Sequence, residues 1–445
     1  MAEIHPFRAL HYNSAQITDL GTVVTQPYDK ISAEMQARYY GLSPHNLVRI
    51  IRGGTRPEDS PADNVYVRSA RDFHEWIRSG VLVSESEAAI YPYYQEYEVP
   101  GQRGLRKQRR GFIALLRLED YSARVVHRHE ETLSGPKMDR LELLKATRAH
   151  CGQIFMLYSD PAGQVENLLG AAAQELAWEQ VRDEYGTQHN VWRMADPKAV
   201  AEVAEVMRTT QLVIADGHHR YETALAYRDH CRALGLKDNR AEFVMTTFVR
   251  MESAGLTILP THRLVHSLTT FDWTKLANDA RAIFDWETVA VRPPASGWVG
   301  RVLAKLAEAG RERPALAAYA GPGKLALLRL RPDFDLNAAL ADLGPALRRL
   351  DVVLLHRLVL ERLLGIDPQA VREESHLSYV REMELAAQQV EQGKGQVAFL
   401  LNPTPVEAVR DCALAGCAMP QKSTDFYPKL LSGLTIYWLD NPAGM

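Results

Sequence analysis

Apolar and polar positions alternate along the chain in two patterns, one with helical and one with strand periodicity. Residues 63–82 carry apolar side chains at helical spacing, which predicts an amphipathic helix. The runs 88–99 and 104–119 are rich in aromatic and aliphatic residues on either side of a Pro/Gly-rich turn, which is typical of a β-hairpin. A second hairpin is predicted at residues 314–331, around a Gly-Pro-Gly turn. This mixture of elements predicts an α/β (mixed α+β) fold.

The most regular stretch is residues 189–235, where a strand pattern and a helix pattern follow each other twice. The first helix has Asp196 as its expected N-cap and Pro197 in its first turn. The apolar strand QLVIA is followed by a second helix that Gly235 ends. This order predicts a βα crossover. Two apolar runs, at residues 242–251 and 256–265, open the C-terminal part of the chain, and we place the boundary between regions 1–250 and 251–445 near residue 250.

The composition is typical of a globular protein and argues against nucleic-acid-binding and membrane-spanning proteins. The 445 residues are enough for two or three domains, and 46% hydrophobic with 24% charged residues is ordinary for a soluble globular protein. The net charge of −3 gives no strong overall field toward nucleic acid, so a nucleic-acid partner is not expected. We expect neither a membrane span nor a signal peptide, and therefore a cytoplasmic protein. The four cysteines are interpreted as unpaired thiols rather than as a metal cluster.

The clearest candidate for chemistry is the turn IADGHHRYETA at residues 214–224. The first N–H groups of a helix have no partner within it, and the helix dipole adds partial positive charge, so such an end binds anions. We assign Gly217, His218 and Arg220 to phosphate or nucleotide binding, His219 to proton transfer, and Asp216 to substrate or metal binding. The alternative is structural: an N-cap, a turn glycine and a solvated basic face.

A second candidate is the polar stretch VHRHEETLSGPKMDR at residues 126–140. If it is extended, His127, His129 and Glu131 share one face, and Glu130 lies on the other. Either carboxylate could bind Mg²⁺ together with substrate phosphates, or accept a hydroxyl proton, and Glu131 is the expected metal ligand. The alternative is an exposed, charged end of a hairpin.

A third candidate is MPQKSTDFYPKLLSGL, residues 419–434, predicted as a loop followed by a short helix. Lys422, Ser423 and Thr424 offer one cation and two hydroxyls to a phosphate, although no glycine-rich Walker A pattern precedes them. The alternative is a loop with a hydroxyl cap. Asp29, in the turn QPYDKIS, is a possible substrate or Mg²⁺ ligand. The basic run at residues 103–110 is interpreted as the solvated tip of the first hairpin.

The chain resembles domain-of-unknown-function family 1015, a bacterial family often labelled ParB-like. The segments that carry the resemblance are QPYDKIS, HNLVRII, VHRHEETLSGPKMDRLELLKATRA, IADGHHRYETA, ILPTHRLV and MPQKSTDFYPKLLSGL. The pattern DGHHRYETA is similar to the second box of the ParB/sulfiredoxin-like fold. The resemblance implies that region 1–250 has this fold and binds nucleotide phosphates, with a further α/β C-terminal domain at 251–445 contributing to the cleft. It implies no particular reaction.

Taken together, these features favour a phosphotransferase that acts on a small metabolite with a nucleotide such as ATP, ADP or CTP and with Mg²⁺. One alternative is a ParB-like nucleotide-binding regulatory or DNA-associated protein, against which the net charge argues. Another is a hydrolase that uses His218 or His219 as its base, although no GxSxG motif is present. A homodimer is possible.

Overall fold

The computed structural model describes residues 1–130, 134–236, 239–290 and 298–442. In chain order the strands are β1 (Ile4–His5), β2 (Leu10–Tyr12), β3 (Leu82–Ser84), β4 (Tyr91–Glu98), β5 (Arg106–Arg117), β6 (Val126–His127), β7 (Ala149–His150), β8 (Ile154–Tyr158), β9 (Glu179–Arg182), β10 (Gln188–Val191), β11 (Leu212–Asp216), β12 (Phe243–Arg250), β13 (Thr257–Leu259), β14 (His262–Val265), β15 (Phe284–Thr288), β16 (Ala315–Tyr319), β17 (Leu325–Leu330), β18 (Leu377–Val380), β19 (Val397–Leu401), β20 (Asp425–Tyr427) and β21 (Tyr437–Trp438).

The helices are α1 (Ala33–Leu42), α2 (Val48–Ile51), α3 (Val65–Arg78), α4 (Ser134–Thr147), α5 (Gln164–Ala172), α6 (Pro197–Arg208), α7 (His218–Ala233), α8 (Trp273–Ala280), α9 (Trp298–Glu312), α10 (Leu336–Ala339), α11 (Pro345–Arg348), α12 (Asp351–Leu354), α13 (Pro368–Arg372), α14 (Met383–Glu391) and α15 (Val406–Leu414). The predicted mixed α/β fold is confirmed. Within the described ranges, no helix has both the length and the apolar character needed to cross a membrane.

The chain divides into two compact units. Unit 1 consists of the described residues within Met1–Arg128, Thr132–Leu256 and Pro428–Met445, and unit 2 of those within His129–Glu131 and Thr257–Tyr427. The chain passes from unit 1 to unit 2 after Leu256, a few residues beyond the boundary predicted near residue 250. The last segment, however, belongs to unit 1 and not to the C-terminal region in which the sequence analysis placed it.

In the described part of unit 1, nine strands form one mixed sheet. Eight of them follow the order β6-β11-β8-β12-β5-β4-β10-β9, and β1 pairs with β5 at the side. The predicted hairpin is β4 and β5, which pair antiparallel. Strands β10 and β11 run in the same direction but are not neighbours, so helix α6 crosses between two distant strands of the sheet. The apolar face of α6, including Val203 and Met207, packs in the core of this sheet.

Helix α6 begins as its sequence predicts, because the Asp196 side chain accepts a hydrogen bond from the backbone N–H of Ala199 and Pro197 occupies the first turn. Helix α7 ends at Gly235, which has a φ of 67°. Such left-handed backbone is open to glycine without steric cost.

Unit 2 contains, among its described residues, a six-stranded antiparallel sheet in the order β15-β17-β16-β19-β14-β18. Its core is mainly aliphatic, includes Trp298 and Tyr319, and is closed by α9 and α14. The predicted second hairpin is β16 and β17.

The prediction of a short helix within residues 419–434 is wrong. This segment forms strand β20, which pairs with β13, and then continues as irregular backbone. Two features of the sequence explain the difference. Pro428 disfavours a helix in the residue before it, and Gly433 adopts a φ of 103° that a helix does not contain. Beyond β20, Ser432 and Thr25 exchange backbone hydrogen bonds within unit 1.

Candidate functional site

The turn between β11 and α7 has the predicted strand–turn–helix geometry. The apolar strand ends at Asp216, and helix α7 begins only two residues later, at His218. Gly217 makes this possible with a φ of 95°, which side-chain-bearing residues rarely adopt. A β-carbon at this position would also lie 3.1 Å from Nε of Arg220, so the guanidinium packs directly over the glycine. The turn is thus tighter than predicted, and glycine is required for two separate reasons.

Asp216 lies at the centre of a group of cations. Its Oδ2 is 3.6 Å from Nζ of Lys429 and 3.5 Å from Nη2 of Arg220, and its Oδ1 accepts a hydrogen bond from the N–H of Gly217. Burial by itself raises the pKa of Asp216, but Lys429, Arg220 and Lys30 outweigh burial and hold that pKa below its usual range. Asp216 is therefore a firmly ionised carboxylate that several cations share.

A further cation near Asp216, Arg109, was not identified from the sequence. The basic run at 103–110 was interpreted as a solvated tip, yet Arg109 is 1% exposed and lies 4.7 Å above the ring of Phe155. Within β5 the inward-facing positions include Arg109, whereas the next residue, Arg110, is exposed. The period-two alternation of the strand was the signal that could have found it.

Arg109 and Gln95 hold the backbone that carries Lys429. Arg109 donates to Oε1 of Gln95 at 2.9 Å and to the carbonyl of Pro428 at 2.5 Å. Gln95 donates to the carbonyl of Lys429 at 2.8 Å. Burial lowers the pKa of Arg109 to about 10, and nearby groups, among them Asp216, raise it in part. Its guanidinium is therefore charged at neutral pH, and its Nη1 has no hydrogen-bond partner among the described residues.

These residues form what we call the Asp216 cluster: Asp216 with the cations Lys30, Arg109, Arg220 and Lys429. Lys429, Arg220 and Lys30 all act on Asp216, and Asp216 in turn acts on buried Arg109, so several cations gather at one carboxylate. Cations at the start of a helix attract anions, and anion binding at this turn stays a prediction.

Two of the predicted residues of this turn differ in exposure. His218 is buried and contributes to the low pKa of Asp216, whereas His219 is partly exposed in the first turn of α7. Arg220 is already engaged, because its Nη1 donates to the carbonyl of Gln153. Arg220 therefore has a structural role, because it holds the turn against β8's preceding segment through Gln153, and it also places a positive charge beside Asp216. Asp29 is exposed, at the centre of the short helical turn Tyr28–Lys30.

The other two predicted segments meet within unit 2. The N–H of Met419 donates to the carbonyl of His129 at 2.8 Å, and Glu130 forms a β-bridge with Met419. The imidazole of His129, which is buried, lies 3.0 Å from Oγ1 of Thr424. Glu130 and the Lys422–Thr424 loop are thus brought together. Glu131 lies outside the described residues.

The hydroxyls of this loop have partners inside unit 2. Ser423 donates to the carbonyl of Pro420 at 2.5 Å, and Thr424 contacts His129. Beneath the loop, buried Arg263 donates to the carbonyls of Gln421 and Lys422. Lys422 is exposed and has a φ of 56°. The ammonium of Lys422 is therefore the part of this loop most open to a ligand.

The fit of a divalent metal is poor at the Asp216 cluster. Across the described ranges, no group of three or more His, Cys, Asp or Glu side chains is arranged to bind a metal ion. Asp216 itself is surrounded by cations, which repel Mg²⁺. Mg²⁺ commonly binds through one or two carboxylates and the phosphates of a nucleotide. Any Mg²⁺ used here would be held mainly by the ligand.

Comparison with known proteins shows the following. The family model described as a protein of unknown function (DUF1015) matches residues 4–353. No curated protein matches the chain. Among solved structures, a conserved hypothetical protein from Pyrococcus furiosus is 11% identical over 74% of this chain and 95% of its own, with a TM-score of 0.35. A free serine kinase in complex with AMP is 11% identical over 72% of this chain and 92% of its own, also with a TM-score of 0.35. SbnI with a C-terminal truncation, from Staphylococcus aureus, is 12% identical over 74% of this chain and 90% of its own, with a TM-score of 0.34. Scores this low carry no argument about activity.

Proposed function

Since the chain belongs to the DUF1015 family, whose model spans residues 4–353, we propose a function from the chemistry of its own residues. Unit 1 binds the phosphates of a nucleotide at the Asp216 cluster, and the protein transfers a phosphoryl group to a small metabolite. The relation to ParB/sulfiredoxin-like proteins, which the sequence suggested, is part of this proposal.

The observation that supports the proposal is the gathering of cations around Asp216 at the start of α7. Lys429 and Arg220 both lie within 3.6 Å of this carboxylate, and Arg109 and Lys30 act on it from further away. A phosphate carries up to two negative charges and several acceptor oxygens, so it matches both the charge and the donors of such a cluster. The first turn of α7 adds its backbone N–H groups.

The same arrangement suits phosphoryl transfer, which depends mainly on positioning and on charge stabilisation. In this step the bond between the terminal phosphorus and its bridging oxygen breaks, and a new bond forms to the oxygen of an acceptor hydroxyl. The hydroxyl proton passes to a base, and the diphosphate leaves with the electron pair. The cations of the cluster would stabilise the charge on the transferred group and on the leaving phosphate.

The proposed base is His219. It lies in the first turn of α7, one residue before Arg220, and is partly exposed. Mg²⁺, carried by the nucleotide, would supply further charge neutralisation.

Calorimetric titration of the full chain with ATP, ADP and CTP, each with and without Mg²⁺, tests the binding step. We expect the Lys429→Gln variant to lose at least about tenfold in nucleotide affinity, since tenfold corresponds to about 1.4 kcal/mol and charge-assisted hydrogen bonds contribute about that much. Lys275→Gln is the control, because Lys275 pairs with Asp279 at 2.5 Å on the surface of unit 2. Equal affinity in all three proteins would refute the binding site.

Transfer itself is followed by ³¹P NMR, with the best nucleotide and a mixture of small hydroxyl compounds. A new phosphate-ester signal that requires both the protein and the acceptor mixture supports the proposal. Inorganic phosphate as the sole product would indicate a hydrolase instead.

A further inference from the structure

Unit 1 contains a small pocket beside the Asp216 cluster that the proposed function does not yet use. Its volume is about 70 Å³, and Arg220 forms part of its wall. Most of the remaining wall is apolar and comes from the elements around α4 and β8, including Ile51, Leu143 and Leu144. Helix α7 contributes both Arg220 and Thr223, which are three residues apart and therefore lie on the same face of the helix.

The hydroxyl of Thr223 is the unusual feature of this pocket. Thr223 is 3% exposed, and its Oγ1 makes no hydrogen bond to any residue that the structure describes. A buried hydroxyl without a partner costs about 1–3 kcal/mol. Such groups are rare in native proteins, and either a water molecule or a ligand in the pocket would satisfy this one.

The charges along the wall have one sign. Among the residues that the structure describes, Arg140 and Arg220 line the pocket and no carboxylate does. The guanidinium of Arg140 pairs with Asp139 at 2.8 Å, whereas Arg220 shares Asp216 with Lys429. His150, also on the wall, is neutral at pH 7 because burial lowers its pKa to about 4. The pocket therefore combines an anion-attracting end with apolar walls and one hydroxyl.

The volume limits the size of the occupant. An engineered apolar cavity of about 150 Å³ takes benzene, with its six carbons, so about 70 Å³ accommodates roughly three non-hydrogen atoms. We propose that this pocket is the acceptor subsite and that it takes the end of a short-chain hydroxy acid of two to four carbons. The polar end of the ligand that enters the pocket bonds to Thr223, and the carboxylate, outside this small volume, pairs with Arg220 at the wall. This inference rests on the proposed function, because it names the class of molecule that receives the phosphoryl group.

The test uses the full chain and four small probes in a thermal-shift assay. Glycolate and lactate carry both groups, propionate lacks the hydroxyl, and 1-propanol lacks the carboxylate. We expect the two hydroxy acids to raise the melting temperature more than either of the others. Equal shifts from all four, or no shift from any, would overturn the proposal.

Two threonine variants separate ligand binding from structure. Thr223→Val removes the unbonded hydroxyl at nearly constant volume, so we expect a higher melting temperature without ligand and at least a tenfold loss of hydroxy-acid affinity. Thr147→Val is the matched control, because Thr147 is also a buried helical threonine but donates to the carbonyl of Leu143 at 2.9 Å. It should melt lower and bind as the wild type does. A lower melting temperature for Thr223→Val, or unchanged binding, would overturn the inference.

Nucleotide affinity, measured in the same proteins, keeps the two proposals apart. Thr223→Val should bind ATP as tightly as the wild type. If ATP binds but no hydroxy acid does, the subsite is wrong and the nucleotide site stands. If hydroxy acids bind through Thr223 but no nucleotide does, the pocket stands as a hydroxy-acid site and the phosphotransferase assignment fails.

Discussion

Replacing Gly217 by alanine should both destabilise unit 1 and weaken phosphate binding. An L-residue in left-handed backbone costs roughly 1–2 kcal/mol. The φ of 95° at this position lies well beyond the left-handed minimum near about 57°, so the upper part of that range applies. The added β-carbon would also lie 3.1 Å from Nε and 3.2 Å from Cζ of Arg220. The guanidinium must move away, which disturbs its hydrogen bond to the carbonyl of Gln153 and its approach to Asp216.

Gly235→Ala, at the other end of the same helix, is the matched control. Gly235 has a φ of 67°, and a β-carbon there would meet nothing within 4 Å. This variant therefore carries the left-handed cost without a clash, about 1 kcal/mol, and should bind ATP normally. Urea unfolding measures the stability of both variants, and calorimetry measures their affinity for ATP. We expect Gly217→Ala to lose at least about 1.4 kcal/mol of binding free energy, which is tenfold in affinity. If folded Gly217→Ala binds ATP as tightly as Gly235→Ala, Arg220 does not hold the phosphate.

Three further results are expected. Burial by itself lowers the pKa of His11, but its hydrogen bonds with Glu179 and Glu85 raise it to about 9. The resulting stabilisation, at most about 3 kcal/mol, is complete below pH about 6.5 and is lost as the pH rises through about 9. Urea titrations should therefore show a decline between pH 7 and 10 that is smaller in His11→Gln, and identical slopes would contradict this. Arg109→Met should weaken ATP binding at least tenfold, whereas Arg110→Met, on the exposed face of the same strand, should not; calorimetry of both variants decides. His219→Gln should lower the transfer rate about 100-fold or more with unchanged ATP affinity, since a positioned base contributes about that much. A His219→Gln enzyme with the wild-type rate would show that His219 is not the base.

The elements around the central turn could be predicted because their signals are local. The apolar run before Asp216, the Asp-Gly break and the helical spacing after it all lie within about twenty residues of one another. The N-cap at Asp196 and the helix end at Gly235 follow from the same short-range chemistry. The prediction of a short helix within residues 419–434 is wrong: Pro428 and Gly433 oppose a helix locally, and the strand that forms instead, β20, pairs with β13 far away in the chain.

By itself, the sequence determined the strand, the glycine turn and the helix that present Arg220, together with an excess of polar groups at that point. The tertiary structure alone decided which charges gather there. Lys429 follows Asp216 by more than two hundred residues, and its segment is held in unit 1 by the buried side chains of Gln95 and Arg109. Local patterns cannot show such contacts, since they depend on which strand faces are buried together. For the same reason Arg109 is an interior cation and Arg110 a surface one, although they are adjacent in the sequence.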